Sequence, residues 1–185
     1  QYPKKICVHR VGQIGDIICA LPAIATIRQN FKDAELVLLT SPGSKGSPNV
    51  MSLVSKLHWI DRVKSYFSED VNSLDNLKRF IKDLREERFD LWIQLPQDLT
   101  KLKIEIRNMI FVKILGVPWA GGFRVNTSTI CLKEQARALT FKREDEVLIE
   151  LLKDLKIQGN FIDSDYFEFK ANDDFEKKLV SGLPK

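Results

Sequence analysis

At 185 residues the chain is long enough for one domain with a full hydrophobic core and short for two. Its 44% hydrophobic and 29% charged residues exclude a disordered segment, and no apolar run approaches the ~20 residues of a membrane span, since Lys113, Gly116 and Pro118 interrupt the one around Ile110. The net charge of +4 arises from bases interspersed with acids, which describes a solvated surface, and Cys7, Cys19 and Cys131 are too scattered for a disulfide framework or a zinc site.

The first predicted strand, Lys4 to His9, is followed by the run Arg10-Val11-Gly12-Gln13-Ile14-Gly15-Asp16, so two glycines and one carboxylate fall in a strand-to-helix turn. Pro22 to Phe31 carries apolar residues at helical spacing with a proline in its first turn. Glu35 to Thr40 reads as a buried strand, closed by Ser41-Pro42-Gly43. A loop to Pro48, a short helix from Asn49 to Ser55 and a strand from Arg62 to Phe67 come next. A long helix is predicted over Asn72 to Arg88, with Ser73 as its cap and Leu74, Leu77, Phe80, Ile81 and Leu84 as its apolar stripe.

Phe89 to Leu95 reads as a further buried strand stopped by Pro96, and Leu102 to Leu115 as a helix ended by Gly116. Beyond it are a short strand over Pro118 to Phe123, an amphipathic helix over Glu144 to Ile157 and a small strand over Tyr166 to Phe169. Strands alternating with helices argue for an α/β fold in which a mostly parallel sheet is flanked by helices, a Rossmann-like three-layer domain. Ligands bind such sheets at the carboxyl ends of the strands, so the loops after His9, Thr40 and Leu95 are expected to border a cleft.

The glycine turn lacks the Gly-x-Gly-x-x-Gly of a dinucleotide site, and the second strand ends in Thr40 rather than an acid. The Ser41 to Ser47 loop resembles a phosphate cradle in composition, but Lys45 is followed by Gly46, so it is not a Walker loop. Asp16 stands beside glycines that let a ligand come close; its structural alternative is a helix-capping carboxylate. His9 and His58 are too few for a metal site, although His9 is close enough in sequence to influence Asp16 across the turn. Asp98 falls at the expected cleft rim, where it could also cap the next helix, and Trp92 is expected in the core.

The pattern Arg10-x-Gly12-x-x-Gly15-Asp16-x-x-x-x-Leu21-Pro22, followed by a helix and Phe31-x-Asp33-Ala34-Glu35-Leu36, resembles the start of the heptosyltransferases, glycosyltransferase family 9. The resemblance extends more loosely through Arg88 to Ile93, Gly116-Val117-Pro118, Gly122-Phe123-Arg124 and Glu146 to Lys156. It implies the N-terminal half of a GT-B fold: an acceptor-side domain over residues 1–170, with residues 171–185 beginning the linker or the C-terminal domain.

It further implies an inverting transfer, without an essential metal or a cofactor, from ADP-heptose or another nucleotide diphosphate sugar held by a C-terminal half. The acceptor is expected to be a glycan or glycolipid such as lipopolysaccharide core, and no nucleic acid is expected as a partner. The scattered cysteines suit a reducing compartment, and with no apolar run long enough to span a membrane a cytoplasmic location is expected, with peripheral contact at the inner face of the membrane.

Asp16 matches the family's general base, and Arg10, Gly12 and Gly15 would shape the pocket. Lys101, Lys103 and Arg107 are candidates to meet phosphate or acidic sugar groups, with an exposed helix face as the alternative. This half alone is expected to be inactive. A noncatalytic module binding a glycan or nucleotide in the same cleft is the competing expectation.

Overall fold

In a computed structural model, residues 2–41, 54, 57–97, 100–124 and 143–157 are described. They form strands β1 (Lys5–Val11), β2 (Glu35–Ser41), β3 (Arg62–Ser65), β4 (Leu91–Gln94) and β5 (Trp119–Gly121). Between them run helices α1 (Ile14–Asn30), α2 (Leu74–Glu86), α3 (Leu102–Leu115) and α4 (Glu144–Asp154), with a 3-10 turn at Ser68–Val71. The predicted short helix over Asn49 to Ser55, apart from Val54, and the strand over Tyr166 to Phe169 lie outside the described residues, as does the boundary expected after residue 170.

The strands make one sheet in the order β3-β2-β1-β4-β5, and every pairing is parallel. The mostly parallel sheet expected from the sequence is therefore wholly parallel among the described residues. The chain begins at the centre, steps outward to β2 and β3, then returns past β1 to β4 and β5. This reversal creates a switch point between β1 and β4, where an open α/β sheet leaves a crevice beyond the strand ends.

Two apolar layers cover the sheet, because alternate strand residues point to opposite faces. Ile6, Val8, Leu36, Leu38 and Ile93 pack with Ile17, Ala20, Leu21 and Ile24 of α1 and Leu148 and Leu152 of α4. Cys7, Val37, Leu39 and Trp92 pack on the other side with Leu84 of α2 and Val112 and Leu115 of α3. Trp92 is fully buried, as expected.

β1 runs two residues further than its predicted end at His9, so Arg10 and Val11 belong to the strand, hydrogen-bonded in register with Thr40 and Ser41. α1 begins at Ile14 rather than Pro22, which corrects both the helix start and the placing of Gly15 in the turn: only Gly12 and Gln13 form the turn. Pro22 is tolerated inside α1 because the carbonyl it leaves without a donor is that of Ile18, a half-exposed residue on the solvent side. Thr26 Oγ1 in turn donates to the Pro22 carbonyl at 2.9 Å.

Ser73 caps α2 as expected, accepting from the Asn76 N–H at 3.2 Å, whereas Leu74 stands 76% exposed and is not part of the apolar stripe. Gly116 ends α3 with φ of 76°. The carboxyl terminus of α2 is fastened to the sheet by Glu87, which accepts from Arg62, Lys5 and Lys64. The Arg62 guanidinium, followed by the two lysines, holds this carboxyl well below the usual carboxylate range.

Candidate functional site at the switch point

His9 and Arg10 are adjacent on β1, yet the strand alternation sends them to opposite faces. Arg10 faces α1 and α4 and is fully buried. Its Nη1 donates to the carbonyls of Pro96 at 2.5 Å and Leu95 at 3.4 Å, while Nη2 donates to Glu144 at the start of α4. Nη2 also lies 3.7 Å from Asp16 Oδ1. The predicted pocket-shaping arginine thus ties the end of β4, the start of α4 and the start of α1 to one buried cation.

Asp16 is the third residue of α1, and Gln13, not Asp16, is the N-cap residue. The Asp16 carboxylate folds back so that Oδ2 accepts from the Gln13 N–H at 2.8 Å, which satisfies a donor that the helix leaves unpaired. This fold-back needs Gly12. A Cβ there would lie 2.4 Å from Asp16 Cβ and 2.5 Å from Oδ2, and Gly12 has φ of 146°. Gly12 N–H donates to the Ser41 carbonyl at 3.1 Å, fastening the turn to β2.

A Cβ at Gly15 would meet nothing within 4 Å. Space is therefore open at Gly15, and the Asp16 side chain that follows it is 34% exposed. Arg10 Nε and Thr40 Oγ1, from paired positions of β1 and β2, are buried without a hydrogen-bond partner among the described residues. Capping uses Oδ2 alone, and Oδ1 faces the Arg10 guanidinium, so the carboxylate is at once a helix cap and half of an ion pair.

The other face of the switch point is neutral. Gln94 Oε1 accepts from Trp92 Nε1 at 3.3 Å and stands 2.8 Å from His9 Nδ1. Indole N–H can only donate, so the atom facing both rings is the amide oxygen and Nδ1 of His9 carries the proton. His9 Nε2 then accepts from the Tyr66 hydroxyl at 3.1 Å.

Burial pushes the His9 pKa down to about 4, partly opposed by the Gln94 hydrogen bond, and pushes the Tyr66 phenol up to about 12. Both ring nitrogens of His9 are thus engaged across the sheet from Asp16, and the expected influence of His9 on that carboxylate has no hydrogen-bonded route.

His9, Tyr66 and Gln94 floor a cleft of about 540 Å3 at the carboxyl ends of β1 and β4, lined also by Pro96, Lys101, Lys103, Glu105 and Arg107 and not by Asp16. The segment after Leu95 borders it as expected, whereas after His9 it is Val11, still in β1, that lines it and not the Gly12 turn; the loop after Thr40 lies outside the described residues beyond Ser41, and so does Asp98. Lys101 and Lys103 belong to the cleft rim at the start of α3. They stand across the sheet from Arg10, so the predicted substrate-binding residues divide into two groups on its two faces.

Glu105 is buried, with Oε2 accepting from the Arg124 N–H at 3.3 Å and Oε1 without a partner among the described residues, and burial raises its pKa. No group of three His, Cys, Asp or Glu side chains among the described residues is arranged to hold a metal ion.

Glu144, Gln94, Tyr66 and Glu105 were not among the candidates that the sequence offered. Glu105 carried a legible signal, an acid between Ile104 and Ile106 in an apolar helix. Glu144 carried none, since 134 residues separate it from Arg10.

No family model matches the chain, and no curated protein matches it. Solved structures do. A glycosyl transferase of family 9 from Veillonella parvula superposes with a TM-score of 0.64 at 14% identity, covering 98% of this chain and 51% of that one. The E. coli heptosyltransferase WaaC, solved with ADP, gives 0.54 at 13% identity, covering 98% and 54%. The same enzyme with ADP-2-deoxy-2-fluoro heptose gives 0.50 at 12%, covering 98% and 55%. The chain spans about half the length of each of these proteins, and over that span it is an α/β domain with the Rossmann-like fold of the GT-B glycosyltransferases, similar to family 9 and to the heptosyltransferases.

Proposed function

We propose that this chain is the acceptor-side half of an inverting, heptosyltransferase-like glycosyltransferase, moving a sugar from a nucleotide diphosphate sugar such as ADP-heptose to a glycan or glycolipid acceptor. The observation that carries the reading is the part-exposed Asp16 carboxylate at the crevice of a fold shared with family 9 structures, held through Oδ2 by the Gln13 N–H and through Oδ1 by the buried Arg10 cation.

In this mechanism Asp16 Oδ1 takes the proton of the acceptor hydroxyl as its oxygen attacks the anomeric carbon. The new carbon–oxygen bond forms while the bond to the diphosphate breaks from the opposite face, and its electron pair leaves on the diphosphate oxygen. Gly12 lets the carboxylate sit back over the turn, and Gly15 leaves room for the acceptor. Arg10 fixes the turn against β4 and α4 from below.

Lys101, Lys103 and Arg107 give the neighbouring cleft a cationic rim suited to phosphate or acidic sugar groups. The donor is held by a second domain, and residues 1–185 alone do not turn over. Lipopolysaccharide core is the acceptor this reading favours, with the enzyme working at the cytoplasmic face of the membrane.

The test is sugar transfer by the whole protein, followed as ADP release from ADP-heptose in the presence of a lipopolysaccharide-core acceptor. Asp16→Asn keeps an oxygen for the Gln13 N–H but cannot take a proton, so turnover is expected to fall by about 10²-fold or more with little change in folding. Undiminished turnover would remove Asp16 from the chemistry.

A further inference from the structure

A helix on the surface of a domain normally turns one apolar stripe inward and a polar face to water. α3 departs from this. Its inner face buries Glu105, Val112 and Leu115. Its outer face carries Ile106, Met109, Ile110 and Ile114, which stand 46%, 44%, 56% and 43% exposed. Spacings of three and four residues gather these side chains on one side of the helix.

Lys103, Arg107 and Lys113 are exposed among them. The helix's one acid, Glu105, is turned inward and fully buried, so the outer face presents apolar and cationic groups with no negative charge. An exposed apolar patch of this kind marks a contact surface.

We propose that the outer face of α3 docks on an anionic membrane surface, with Ile106, Met109, Ile110 and Ile114 entering the headgroup boundary and Lys103, Arg107 and Lys113 meeting lipid phosphates. The charge pattern selects this occupant. A second copy related by a two-fold axis would set the same cations against themselves. Apolar anchors interleaved with Lys and Arg are what an interfacial helix uses on anionic lipid.

Docking by this face has a consequence for access. The first turns of α3 supply Lys103, Ile104 and Arg107 to the cleft floored by His9 and Gln94. A bilayer lying along α3 therefore brings a lipid-anchored headgroup to the cleft mouth. The inference extends the glycolipid-acceptor reading given above, but its test requires no acceptor and no turnover, so either can fail without the other.

The experiment is co-sedimentation of the whole protein with vesicles of phosphatidylethanolamine and phosphatidylglycerol, against vesicles of phosphatidylcholine alone. Binding to the anionic vesicles is expected to exceed binding to the neutral ones by about tenfold or more and to weaken in about 0.5 M salt. Ile106→Ser with Ile110→Ser is expected to lower it by about tenfold with an unchanged thermal melt, and Lys113→Glu to lower it less. Equal binding to both vesicle types, no binding, binding that the double variant retains, or a dimer that the double variant abolishes would each overturn the proposal.

Discussion

His9 and Arg10 are neighbours at the end of β1, and the two faces on which they lie solve the burial of a polar side chain in opposite ways. On the Arg10 face a permanent cation is buried and answered by carbonyls and by the carboxylates of Glu144 and Asp16. On the His9 face a titratable ring is buried and kept neutral by a chain of hydrogen bonds from Tyr66 through His9 to Gln94. The charged side is suited to proton transfer. The neutral side, with its cationic rim, is suited to holding a ligand. One strand register thus sets two chemistries back to back at a switch point.

Removing the charge on the Arg10 face should have the largest effect on the fold. Arg10→Met fills similar space but strands two carbonyls and two carboxylates, and a loss of about 3 kcal/mol or more in chemical denaturation is expected. A variant as stable as the parent would show that the buried cation does not organise this side.

On the His9 face the expected effect is a pH dependence. The native ring has its pKa held down to about 4 while the unfolded ring keeps its ordinary value near 6.5, so acid favours the unfolded chain. The stabilisation is complete above about 6.5, declines as pH falls and is spent near 4, amounting to ~3 kcal/mol. Denaturation midpoints measured across that window check this, and His9→Gln should flatten the profile. A parent profile that is already flat would contradict a buried neutral ring.

The two glycines give the smallest and sharpest contrast. Gly12→Ala places a methyl group against the Asp16 carboxylate at a backbone angle that only glycine adopts freely, and about 2 kcal/mol should be lost. Gly15→Ala meets open space in the first turn of α1 and should gain up to about 1 kcal/mol. If Gly15 keeps space for an acceptor, the same change raises KM in the whole enzyme. Equal thermal shifts for the two variants would refute this division of roles.

The sequence disclosed what periodicity and local chemistry control. The alternation of strands and helices, the Ser73 cap and the Gly116 stop are all local, and each agrees with the fold. Proline favours the first turn of a helix, so Pro22 points to a later start than the one marked by Gln13 and Asp16, a weak variant of the capping pattern. Leu74 looked like core because apolar spacing does not reveal where a helix leaves the sheet.

Asp16 and Gly12 were legible as neighbours in a turn, but their partners were not. Arg10 meets Glu144 across 134 residues and His9 meets Gln94 across 85, and only the register of a folded sheet supplies such pairs.

The most direct measurement compares the turnover of whole-protein Asp16→Asn with that of His9→Gln under saturating donor and acceptor. A loss of about 10²-fold or more is expected for Asp16→Asn, and for His9→Gln a change mainly in acceptor KM. Equal losses of turnover, or a larger loss on the His9 face, would contradict the assignment of proton transfer to the Arg10 face.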